Sequence, residues 1–131
     1  MNFLLDTHLL LWLLSEPDKL PPSIRVAIES GEADVCASAI SIAEIAIKYK
    51  RNRGEPGDMP IDGKQAQTLT EASGLSILPL EADHAAMLDT LPLHHRDPFD
   101  RMLVAQAKAE PMILWTCDAA LSAYGDTVMV C

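Results

Sequence analysis

The sequence predicts an α/β fold, with a mainly parallel sheet and helices on both of its faces. Three observations lead there. Short apolar runs of strand length alternate with segments of helical period along the whole chain. The segments between them are short crossovers, which suit parallel pairing. Gly31, Gly54, Gly74 and Gly125 stand where helical patterns should stop.

In chain order, Asn2–Asp6 reads as a buried strand. Thr7–Leu14 continues it as a helix, because Asp6 and His8 interrupt the apolar run. A helix over Pro22–Ser30, a strand over Asp34–Ala37 and a helix over Ala39–Arg51 follow. Ser38 and Ser41 both offer N-caps for that last helix. Arg53–Pro60, with two glycines and two prolines, is the expected flexible loop. Next come a helix over Gly63–Ser73, a strand over Ser76–Leu80 and a helix over Ala82–Leu91. Asp97 as N-cap and Pro98 at N1 open a helix over Pro98–Lys108. Met112–Thr116 is a strand, Ala119–Tyr124 a helix, and Thr127–Val130 a last strand.

The 131 residues fit one domain, 1–131, with a real core. Apolar content of 49% with 22% charged residues describes an ordinary globule. No apolar run approaches the roughly 20 residues of a membrane span. No basic residue precedes Lys19, so Phe3–Leu14 lacks the form of an export signal, and the expected location is the cytoplasm. Cys36, Cys117 and Cys131 are odd in number and lack CxxC spacing. Buried reduced thiols are expected rather than a disulfide frame or a zinc site. The net charge of −9 excludes a generic basic nucleic-acid binder unless some of the acids bind cations. Lys48, Lys50, Arg51 and Arg53 concentrate basic charge in one segment. They read either as a solvated helix end or as a phosphate-contacting patch.

Four acids carry the chemistry. Asp6 and Asp118 each follow a predicted strand, at the edge where open α/β sheets bind ligands. Glu44 shares a helix face with Ile40 and Ile47, where a carboxylate needs compensation. The competing reading is a capping box, Ser41-Ile42-Ala43-Glu44. Asp100 sits at N3 of its helix but shares a face with Leu103, Val104 and Ala107, while Asp97 already caps. Carboxylates gathered at one edge repel unless a cation holds them. That points to a divalent metal and hydrolysis. Ser41 and Thr116 could orient acids or water. His94-His95 lacks partners at zinc spacing, and His8 reads as an ordinary helix residue.

Leu4-Leu5-Asp6-Thr7-His8, the segment Ser38 to Lys48, Arg96-Asp97-Pro98-Phe99-Asp100-Arg101 with Ala105-Gln106-Ala107, and Thr116-Cys117-Asp118 together resemble the PIN domain. The branch they resemble is the VapC-type toxins of toxin–antitoxin pairs. The resemblance implies a three-layer α/β/α fold and Mg²⁺- or Mn²⁺-dependent endoribonuclease activity on RNA. It also implies homodimers neutralised by a cognate antitoxin protein. Asp6, Glu44, Asp100 and Asp118 match its acidic positions, and Thr7 and Thr116 its hydroxyl positions. Where the family often has an aromatic before the motif glutamate and a short Gly-Lys-Leu turn, this chain has Ala43 and Arg53-Gly54-Glu55-Pro56-Gly57.

Asp6 and Asp100 are then the expected direct ligands. Glu44 would bind metal or accept the water's proton, Asp118 would complete the site, and Asp97 is auxiliary. Lys48, Lys50, Arg51, Arg53 and Arg101 are candidates for substrate phosphates. Two other readings stay open: an idle PIN-like binding or assembly module, and a metal-dependent phosphoesterase acting on another substrate. The helix His8–Leu14 is apolar almost all round. It is expected to lie under a second copy or an antitoxin helix at Leu10, Trp12 or Leu13.

Overall fold

In the computed structural model, which describes residues 1–51 and 53–131, five short apolar segments become strands. These are β1 (Asn2–Leu5), β2 (Asp34–Ser38), β3 (Ser76–Leu78), β4 (Ile113–Thr116) and β5 (Val128–Val130). They form one sheet in the order β3-β2-β1-β4-β5, with every neighbouring pair parallel. Central β1 is buried from Phe3 to Leu5, as a strand covered on both faces must be.

The crossovers are α1 (Thr7–Ser15), α2 (Pro22–Ser30), α3 (Ala39–Lys50), α4 (Gly63–Ala72), α5 (Ala82–Ala86) and α6 (Pro98–Ala109). Side-chain alternation along the strands divides the core in two. Leu4, Cys36 and Leu114 pack with Leu103, Val104 and Ala107 of α6 on one face. Phe3, Leu5, Ala37 and Trp115 pack with Leu9 and Leu10 of α1 and Ile24 of α2 on the other. A smaller cluster, Ile45, Ile61 and Ala66, joins α3 to α4. This is the three-layer α/β/α arrangement.

Several details differ from expectation. Pro79 lacks an N–H to continue a ladder, and β3 ends at Leu78. The Ala82–Leu91 segment is a short α5 followed by a 3-10 turn over Met87–Thr90. Residues Ala119–Thr127 are 3-10 rather than α-helical, broken at Gly125 with φ +82°. The loop after α3 is built around Arg53. Its guanidinium lies 3.7 Å over the Tyr49 ring, pairs with Asp58 at 3.0 Å and donates to the Met59 carbonyl.

The cysteine expectation is corrected. Cys36 is a buried free thiol, but Cys117 and Cys131 form a disulfide. Parallel β4 and β5 bring the two residues beyond their ends together, with Cα atoms 4.9 Å apart, which spacing along the chain does not reveal. Among the described residues, no helix is long and apolar enough to cross a membrane.

Candidate active site

Strand order reverses direction between β1 and β4. The chain winds outward through β2 and β3, then returns to build β4 and β5 on the other side. The crevice at the C-terminal ends of β1 and β4 is therefore the switch point where open α/β sheets bind ligands. Asp6 leaves β1 there and Asp118 follows β4.

Asp6 is 4% exposed. It is also the N-cap of α1, with Oδ1 accepting from the Leu9 N–H at 2.9 Å. Its Oδ2 accepts from the Thr116 hydroxyl. Thr116 Oγ1 in turn accepts from the Asp118 N–H at 3.0 Å, so one buried hydroxyl ties the two acids together. Burial pushes the Asp6 carboxyl above its ordinary range. The Thr116 and Leu9 bonds oppose that rise, and Glu44 adds to it.

Glu44 projects from α3 and is 5% exposed. Ser38 caps this helix by accepting from the Ile40 N–H at 3.0 Å. The helix therefore begins at Ala39, and the Ser41 capping box does not form. Glu44 Oε2 meets Lys48 Nζ at 2.5 Å, one turn on. Glu44 Oε1 is sealed from solvent and has no partner among the described residues. A buried carboxylate oxygen without a donor is costly, and a cation would satisfy it. Ile47, assigned to the same buried face, is 45% exposed. It lies only three positions from Glu44 and rotates past the edge of the inward stripe.

Asp100 enters from α6. Asp97 caps that helix through the Phe99 and Asp100 N–H groups, as expected. Burial raises the Asp100 carboxyl to about 6, with Asp97, Glu44 and Asp6 adding repulsion and a His95 bond opposing it. Asp100 thus feels both Asp6 and Glu44 across the site. Asp118 is the exposed member, and its Oδ1 accepts from the Ala120 N–H at 3.0 Å.

His95 is the residue sequence reasoning passed over. Its Nε2 lies 3.0 Å from Asp100 Oδ2 and 4.0 Å from Asp118 Oδ2. Donor atoms of His95, Asp100 and Asp118 all lie within 4.8 Å of one another. The signal was its position just before the Asp97-Pro98 cap, which turns the loop back over the helix start.

Other predicted residues serve the frame. The Thr7 hydroxyl donates to Ser41 Oγ at 2.9 Å and pins α1 to α3 rather than touching an acid. Arg101 donates to the Leu91 carbonyl at 3.4 Å, turned toward the preceding turn. Arg53 is held by its own loop, and Lys48 by Glu44. Lys50 and Arg51 are exposed. Lys48 and Arg51 line a cavity of about 410 Å³ with Glu55 and Asp58, which offset their charge. Gln106 is fully buried, accepts from Ser38 Oγ at 2.6 Å and donates to the Pro79 carbonyl at 3.1 Å. It fixes α6, and with it Asp100, against the end of β2.

The candidate donors are four carboxylates and one imidazole, with one oxygen unpartnered among the described residues and two carboxyls pushed upward. Hard oxygen donors of this kind fit Mg²⁺ or Mn²⁺.

The family model described as PIN domain matches residues 3–126. Among curated proteins no sequence matches the chain. Solved structures share the fold. One is VapBC2 from Rickettsia felis bound to a DNA fragment from its promoter, at 16% identity and TM-score 0.70, covering 99% of this chain and 97% of that one. A toxin–antitoxin complex from Klebsiella pneumoniae matches at 20% identity and TM-score 0.63, covering 97% and 95%. VapBC-5 from Mycobacterium tuberculosis, of a toxin–antitoxin family, matches at 20% identity and TM-score 0.58, covering 98% and 96%.

Proposed function

We propose that this chain, which belongs to the PIN-domain family, is a VapC-type toxin: a Mg²⁺- or Mn²⁺-dependent endoribonuclease. The observation that carries the reading is the buried, unpartnered Glu44 Oε1 beside the raised carboxyls of Asp6 and Asp100. A packed group of acids with an unsatisfied oxygen costs stability unless it serves a cation.

Asp6 and Asp100, with Asp118 and Glu44, would hold the cation. Bound there, it would lower the pKa of a water and relieve charge on the scissile phosphate. The protein's own part is positional. Thr116 locks Asp6, the Asp97 cap sets the start of α6, and Gln106 sets that helix's height against the sheet. Glu44, with one oxygen on Lys48, would use the other either to bind the cation or to accept the water's proton. Lys50 and Arg51 are exposed and would meet flanking phosphates.

A cognate antitoxin and a homodimeric state belong to the same proposal, as does action in the cytoplasm. The solved toxin–antitoxin complexes of the same fold support the antitoxin. Of the α1 residues proposed to meet a partner, Trp12 and Leu13 are half-buried. Leu10 is fully buried and drops out. Cytosolic proteins seldom keep disulfides, and the exposed Cys131 leaves its bond open to reductant.

The test is incubation of pure, antitoxin-free protein with total RNA and Mn²⁺, with mapping of the cut ends. Discrete cuts that vanish in Asp6→Asn support the reading. Hydrolysis of a small phosphoester with no RNA cleavage would favour the phosphoesterase. Neither activity would favour an idle module.

A further inference from the structure

Beside the acids lies a second, smaller feature. A cavity of about 280 Å³ is lined by Asp6, His8, Trp12, Cys117 and Asp118. It shares two of its walls with the proposed cation site, and the rest is formed by the rings of His8 and Trp12 with Cys117. His8 and Trp12 are one turn apart on α1, with ring centroids 6.3 Å apart at 58°. His8 is exposed and Trp12 half-buried, so both rings offer surface to a ligand. The chain's other tryptophan, Trp115, is 6% exposed and stacks on Phe3 in the core. The exposure of Trp12 is thus a property of this location.

We infer that this cavity is a nucleobase subsite, in which an unpaired base next to the scissile phosphate stacks on Trp12 with His8 at its edge. The inference rests on the nuclease reading and adds to it a base contact at Trp12 and His8. Two features select the occupant. The volume sits at the lower limit of small-molecule pockets, roughly 300 Å³, which admits one planar ring system and not a strand. Its two acid walls place whatever binds there within one nucleotide of the reacting phosphate. Bases of single-stranded RNA are commonly held by stacking on aromatic side chains, and a base inside a duplex is not free to do so.

The test begins without metal. A short single-stranded oligoribonucleotide is titrated into wild-type protein in EDTA while tryptophan emission is read. Stacking should quench Trp12, and Trp12→Phe, which retains only buried Trp115, should lose the quench. With Mn²⁺ restored, Trp12→Leu should raise KM about 5- to 150-fold, the range seen when a stacking aromatic is removed. Its kcat should change little, because the contact is made equally before and in the transition state. Trp12→Phe should recover most of the loss, and the same sequence in a duplex should bind as poorly as Trp12→Leu. His8→Ala, at an exposed position, gives a second reading should Trp12→Leu fold badly, and should also raise KM. RNA cleavage with an unchanged KM in these variants and no quench would overturn the subsite while leaving the nuclease. A partner protein on Trp12 in place of RNA would give that same result. Absence of both RNA binding and cleavage in the wild type would overturn both.

Discussion

Replacing Asp100 with Asn removes a charge that the fold holds at a cost. Burial, with repulsion from Asp97, Glu44 and Asp6, raises this carboxyl from 3.8 to about 6. Each pKa unit is worth about 1.4 kcal/mol, so an ionised Asp100 weakens the metal-free protein by roughly 3 kcal/mol at neutral pH. Asn gives up the favourable charge in the first turn of α6, worth about 0.3–1 kcal/mol, and weakens the bond to His95. The net expected gain is about 1–2 kcal/mol. The sign with pH follows from a folded pKa above the unfolded one. The native state binds the extra proton, so wild-type stability falls as pH rises from about 4 to about 6. The gain of Asp100→Asn should be full above pH 6 to 7 and vanish near pH 4. Urea unfolding of both proteins in EDTA, at pH steps across that range, measures the difference directly. Under Mg²⁺ the order should reverse, because only the wild type gains from the ion. A variant less stable than wild type at pH 7.5 in EDTA, or a difference that does not move with pH, would refute the reasoning.

Asp97→Ala should lower stability by about 1 kcal/mol through loss of the α6 cap, read by thermal melting, while Asp97→Asn keeps much of the RNA cleavage that Asp100→Asn loses. Lys50→Ala with Arg51→Ala should reduce the slope of log affinity against log salt for RNA by about 1 to 2; Arg53→Ala should leave that slope alone and lower the melting temperature, because its guanidinium is spent on Tyr49, Asp58 and Met59. Reducing Cys117–Cys131, separated by 14 positions, should cost about 3 kcal/mol by loop entropy, and Cys131→Ser should reproduce that loss in a urea titration.

The strands were legible because each is a short apolar run with a turn residue at its end, and parallel order followed from the helices between them. Their exact ends were less so. Pro79 cut β3 short, and the α5 segment tightened into 3-10 geometry after Ala86. The four proposed site acids stand out in the sequence for a different reason. A carboxylate on an inward helix face, such as Glu44, needs compensation, which Lys48 supplies to only one of its oxygens, and the strand-end acids share one edge in any parallel sheet. What stayed hidden depended on tertiary approach. His95 reaches Asp100 and Asp118 only because the loop folds back at the Asp97 cap. Cys117 meets Cys131 only because β4 and β5 pair in parallel. The charge of Arg53 and Arg101 is visible in sequence, whereas the Met59 and Leu91 carbonyls to which they donate are not.

Asp6, Glu44, Asp100 and Asp118 are proposed to form one cation site. Calorimetric titration of Mn²⁺ into the metal-free protein tests it without any substrate. Saturable binding by the wild type, lost in Asp6→Asn and in Asp100→Asn while both variants keep native circular dichroism, is the predicted result. Undiminished Mn²⁺ binding in folded Asp6→Asn and Asp100→Asn would contradict it.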